Sequence, residues 1–75
     1  MNNQIIANYL LIGYGYWGPN LARNINKNVN SNLSIVIDNN QQALNNAKSQ
    51  NVADIYIESI ESIDESIIKK IDIIV

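Results

Sequence analysis

Apolar positions in this chain fall into short unbroken runs, separated by segments with helical spacing. The first run is Tyr9-Leu10-Leu11-Ile12, and its longer alternative extends back to Ile5 across Asn8. A run without polar alternation fits a strand buried on both faces, as in parallel sheets. It stops at Gly13. Pro19 then suits the first turn of a helix, where its missing N–H costs nothing. Leu21, Ala22, Ile25 and Val29 follow as one apolar stripe. Asn and Ser crowd residues 26–32 and favour turns, so the helix is expected to fade there. Leu33–Ile37 is rich in β-branched residues and predicts a second strand, ended by Asp38-Asn39-Asn40.

The alternation continues. Gln41–Gln50, with Ala43, Leu44 and Ala47, predicts a weakly amphipathic helix of good formers. A short third strand is expected near Asp54–Ile57. Ile63, Ile67 and Ile68 predict a third helix over Ser62–Lys70. Asp64 and Glu65 stand near its start and Lys69-Lys70 near its end, as the helix dipole favours. Ile71–Val75 predicts a fourth strand. The order β-α-β-α-β-α-β predicts an α/β domain with a parallel sheet and right-handed crossovers. There is no internal repeat and no linker.

Composition narrows the chemistry. The chain has 75 residues, no cysteine and no histidine. Disulfides, cysteine-ligated metals and a self-contained Ser-His-Asp or Cys-His catalyst are therefore excluded within it. A net charge of −2 gives no reason to expect nucleic acid or an anionic membrane as partner. No apolar run approaches the ~20 residues of a membrane span, and residues 1–8 lack a basic leader segment. A cytoplasmic location is the expectation. Fourteen Asn and 15 Ile are a surplus better explained by codon bias than by functional low complexity, because apolar runs separate the Asn clusters.

The informative segment is Gly13-Tyr14-Gly15-Tyr16-Trp17-Gly18-Pro19-Asn20, a G-x-G-x-x-G pattern. It follows a predicted strand and opens a predicted helix. Asp38 stands 20 positions after Gly18, at the end of the next strand. Those are the contextual requirements of a Rossmann-like dinucleotide-binding turn. Gly13 allows the tight turn out of the strand. Gly15, without a Cβ, lets a pyrophosphate approach the backbone. Gly18 lets the helix pack close to the sheet. The helix N-terminus then offers unpaired N–H groups, and those of Tyr16 and Trp17 are candidate phosphate donors.

Asp38 can accept hydrogen bonds from both hydroxyls of an adenosine ribose, with Asn39 beside it, and would repel a 2′-phosphate. No Lys or Arg occurs at positions 39–42 to receive one, so NAD is favoured over NADP. Blander readings stand beside these. Three glycines can build a turn without a ligand, and Asp38 before two asparagines can be an ordinary turn residue. Trp17 is expected as a packing wedge at the helix start rather than a stacking platform. Asn20 is expected to bond locally. Glu58, Glu61, Asp64 and Glu65 are expected on a solvated face.

The stretch Gly13–Asn20, continued by Leu21-Ala22-Arg23-Asn24, resembles the N-terminus of the Gfo/Idh/MocA oxidoreductase family. Its G-Y-W-G-P-N-L-x-R-N form is similar to members acting on sugars and nucleotide-sugars. Asp38 matches the family's acidic residue after the second strand. Ser62–Lys70 resembles its helix before strand four, and Ile71–Val75 the start of that strand. The resemblance implies an NAD(P)-dependent oxidoreductase with a C-terminal substrate domain, often a homo-oligomer. Residues 1–75 would then be the N-terminal part of the dinucleotide-binding domain, with the family's Ala-Thr-Pro and Glu-Lys-Pro motifs farther on. Lys69 and Lys70 precede strand four and do not match the family's catalytic lysine, so no catalytic residue is assigned.

Three classes are weighed. The first is the NAD-binding part of a dehydrogenase that moves hydride between a sugar or nucleotide-sugar carbon and nicotinamide. The second is an NAD-sensing module without catalysis, against which Trp17-Gly18-Pro19-Asn20 argues. The third is an adenosylmethionine-dependent methyltransferase, against which the position of Gly18 argues. The fragment alone is expected to be weakly stable or aggregating, because its fourth strand would be an apolar edge.

Overall fold

The computed structural model describes residues 6–75, so the backward extension to Ile5 lies outside the described residues. The elements run β1 (Ala7–Ile12), α1 (Gly18–Lys27), β2 (Ser31–Ile37), α2 (Gln41–Gln50), β3 (Ile55–Ile57), a 3-10 turn (Ile60–Ser62), α3 (Glu65–Ile68) and β4 (Ile73–Ile74). All strand pairs are parallel, in the order β3-β2-β1-β4. This is an α/β fold with a four-stranded, all-parallel, Rossmann-like sheet.

The apolar runs become central strands because both sheet faces are covered. On one face Leu11, Leu33 and Val36 pack with Ala22 of α1 and with Leu44 and Ala47 of α2. On the other, Leu10, Ile35 and Ile37 pack with Ile63, Ile67, Ile68 and Ile71. The β1–β2 register steps from Tyr9↔Leu33 to Leu10↔Ile35, which leaves Ser34 as an extra residue. That irregularity lets Leu33 and Val36 share a face although they are three apart in sequence.

Helix α1 ends sooner than its apolar stripe. The Asn28 side chain accepts from the Asn30 N–H at 2.9 Å, and Ser31 N–H bonds the Asn28 carbonyl at 3.1 Å. This local turn competes with the helix. Val29 is left 79% exposed, and Ser31 and Asn32 join β2 instead of the turn expected of them. Helix α2 has the predicted bounds: Asn40 caps its start by accepting from Ala43 N–H at 3.0 Å, and left-handed Asn51 ends it.

The expected third helix over Ser62–Lys70 is shortened to Glu65–Ile68, and a 3-10 turn over Ile60–Ser62 precedes it. Ser59 captures Glu61 N–H and Asp64 captures Ser66 N–H, both at 3.3 Å, with extended Ile63 between. Only Glu65–Ile68 remains α-helical, and Lys69-Lys70 follow it. β4 is likewise shorter than Ile71–Val75, although Asp72 N–H reaches the Asn8 carbonyl and Val75 N–H the Leu10 carbonyl. No helix among the described residues is long and apolar enough to cross a membrane.

Candidate functional site

The site forms where the sheet changes direction. From β1 the chain moves outward to β2 and β3, then returns to pair β4 on the other side of β1. The turn after β1 stands at this switch, at the carboxyl ends of the strands, where ligands of open α/β sheets bind.

The three glycines of the turn meet different surroundings. Gly13 has φ +96°, a conformation side chains disfavour, and its N–H bonds the Ile37 carbonyl at 2.7 Å. A Cβ on Gly18 would lie 2.7 Å from the Gly13 carbonyl oxygen, so this glycine lets α1 pack against the turn. A Cβ on Gly15 would point into open space. The turn therefore leaves room above Gly15 for a group from outside the protein.

Helix α1 carries no side-chain cap, in contrast to α2, the 3-10 turn and α3. The first amide of the helix with a backbone acceptor is Leu21 N–H, which reaches the Trp17 carbonyl at 3.1 Å. Among the described residues, the N–H groups of Gly15, Tyr16, Trp17, Gly18 and Asn20 have no protein acceptor. Together with the helix dipole they suit an anion. Asn20 bonds locally, as expected: its Oδ1 accepts from the Arg23 guanidinium.

Asp38 is half-buried at the end of β2. Its Oδ2 accepts from Tyr14 N–H at 2.6 Å and its Oδ1 from Asn40 N–H at 2.8 Å. A carboxylate has about four lone-pair positions, so acceptor capacity remains for a ligand. Asp38 lines two clefts. One, of about 300 Å³, is walled by Ile12, Ile37 and Ile60 and carries Gly13, Asn39, Glu58 and Ser59. The other, of about 450 Å³, runs past Tyr14, Gly15 and Asn40 toward α2. Neither cleft is lined by Lys or Arg.

The aromatic residues of the turn divide. Tyr14 is buried in the α1–α2 core, its hydroxyl donating to Gln50 Oε1. Burial pushes its phenol above the ordinary tyrosine value, Tyr56 adds to this, and Arg23 opposes it. Trp17 is not the expected packing wedge. It is 67% exposed and meets the 86% exposed Tyr16 edge-on, with ring centroids 5.0 Å apart. Gly18 and Ala22 are the buried positions of α1, and Trp17, one residue before Gly18, stands about 100° around the helix axis from it, away from the core.

The structure thus brings Gly13, Gly15 and Asp38 together, with Asn39 beside Asp38 and the N–H groups of Tyr16, Trp17 and Gly18 at the turn. Glu58 is exposed, as expected, but it also lines the smaller cleft beside Asp38, as does Ser59, a position that sequence reasoning did not single out. The available signal was positional, since Glu58 follows β3 just as Asp38 follows β2. Asp64, expected on a solvated face, caps α3. No metal-holding group of three His, Cys, Asp or Glu occurs among the described residues.

Comparisons with family models, curated proteins and solved structures find no match.

Proposed function

We propose that this chain binds the adenosine and pyrophosphate half of NAD and forms part of an oxidoreductase of the Gfo/Idh/MocA type. The observation that carries the reading is the Tyr14 N–H to Asp38 contact, which ties the strand-two carboxylate to a glycine turn whose next amides are unpartnered. Open space above Gly15 fits a pyrophosphate, which a Cβ there would obstruct. The Gly15, Tyr16, Trp17 and Gly18 N–H groups would hold its oxygens, and Asp38 would accept from the ribose hydroxyls. Asn39 supplies a neutral amide at the same cleft. The absence of basic residues from the lining of both clefts favours NAD over NADP.

When bound, the nicotinamide would accept or deliver hydride. The proposed substrate, a sugar or nucleotide-sugar carbinol, comes from the likeness of Gly13–Asn24 to that family, as does a homo-oligomeric parent. This chain's own residues bind and orient. Lys69 and Lys70 precede β4, at the end of the sheet opposite the turn, and take no catalytic part.

Calorimetric titration with NAD, ADP-ribose and nicotinamide mononucleotide tests the reading. NAD and ADP-ribose should bind, and the mononucleotide should not. Failure of both adenosine ligands to bind overturns it.

A further inference from the structure

Asp38 has an acidic neighbour, Glu58, which is exposed at the rim of the same cleft. Ile37 and Ile57 are register partners in β2 and β3, and Asp38 N–H bonds the Ile57 carbonyl at 3.1 Å. Residues 38 and 58 therefore leave the sheet side by side, on strands about 4.8 Å apart. Both line the 300 Å³ cleft. Its other polar residues, Asn39 and Ser59, are neutral, and Ser59 already accepts from Glu61 N–H. Ile12, Ile37 and Ile60 supply apolar walls suited to a flat base.

The two carboxylates differ in what they hold. Asp38 braces the Tyr14 and Asn40 amides. Glu58 takes no hydrogen bond from a described residue, so its charge acts on whatever enters the cleft. We propose that Glu58 is a second specificity-determining residue of this site, acting with Asp38 to exclude a nucleotide whose ribose carries a 2′-phosphate. The inference rests on the dinucleotide reading above and extends it to a residue outside the glycine turn. Like charges brought together in a partly walled cleft repel, and no lysine or arginine in its lining offsets them.

The test compares NAD and NADP dissociation constants for the wild-type protein, Glu58→Gln and Glu58→Asp, at low and high salt. Glu58→Gln should tighten NADP binding about fivefold while NAD changes less than about twofold, the scale of an exposed charge contact. Glu58→Asp keeps the charge and should keep the wild-type preference. The Glu58→Gln gain should shrink at high salt, where the repulsion is screened. Wild-type protein that prefers NAD, with Glu58→Gln keeping that preference unchanged, overturns the role of Glu58 alone. Wild-type protein that binds neither nucleotide overturns the dinucleotide reading and this inference with it.

Discussion

The backbone N–H of Tyr14 donates to Oδ2 of Asp38 at 2.6 Å, across 24 positions of sequence. One carboxylate therefore has two duties: it holds the glycine turn in shape and it faces the cleft where a ribose would lie. Asp38→Ala removes both. NAD affinity should fall about 10- to 100-fold, the scale of charge-assisted hydrogen bonds, and NADP affinity should fall less. The half-buried Tyr14 amide loses its acceptor, so stability should also drop by about 1–2 kcal/mol. Titration and urea unfolding measure the two losses separately. Equal loss of NAD and NADP affinity would remove Asp38 from ribose binding.

Gly15 and Gly18 should separate binding from folding. A Cβ at Gly15 meets nothing within 4 Å, so Gly15→Val should fold and melt near wild type, yet show no measurable NAD binding. A Cβ at Gly18 falls 2.7 Å from the Gly13 carbonyl oxygen and 3.2 Å from Tyr14 Cδ1. Gly18→Ala should therefore lose about 1–3 kcal/mol of stability from overpacking. Denaturant midpoints and titrations on both variants check the division.

Trp17 is the chain's one tryptophan and is 67% exposed beside the unpartnered amides. Its emission should be that of a hydrated indole, and NAD should shift or quench it in proportion to occupancy. Trp17→Ala should change stability by less than about 0.5 kcal/mol, as surface substitutions do. A blue-shifted emission in the free protein would return Trp17 to the core.

β4 lies at the sheet edge with Ile73, Ile74 and Val75 39%, 57% and 44% exposed. A flat apolar edge invites pairing with another chain. Ile74→Lys should lower self-association, seen by sedimentation velocity, with a stability change within about 0.5 kcal/mol. Unchanged association would show that this edge is not the contact.

Much of this fold was legible because pattern and local chemistry agree. Gln41–Gln50 carries both its spacing and its cap, Asn40, and it forms as predicted. The residues of the glycine turn assemble with Asp38 because strand ends bring them to one side of the sheet. The misreadings share a cause. Short polar side chains took backbone partners that spacing does not encode: Asn28 accepts from Asn30 N–H and closes the turn before Ser31, which enters β2, and Asp64 accepts from Ser66 N–H and delays the third helix to Glu65. Trp17 was misplaced because hydrophobicity predicts burial, whereas the face of α1 that packs inward is that of Gly18 and Ala22. That Glu58 stands beside Asp38 was not legible, because it depends on register, a property of two distant segments at once.

The tie between β1 and β4 has a kinetic meaning. Asn8 N–H donates to Asp72 Oδ2 at 2.8 Å, while Asp72 N–H donates to the Asn8 carbonyl at 2.8 Å, a double clasp over 64 positions. Closing that span costs about 0.9 kcal/mol more chain entropy than closing the 24 positions of the β1–β2 pair. That difference favours an order of assembly in which β1 and β2 meet before β4 docks. Changes at Asp72 should then quicken unfolding while scarcely altering the folding rate, so the clasp acts as a latch on the lifetime of the folded sheet.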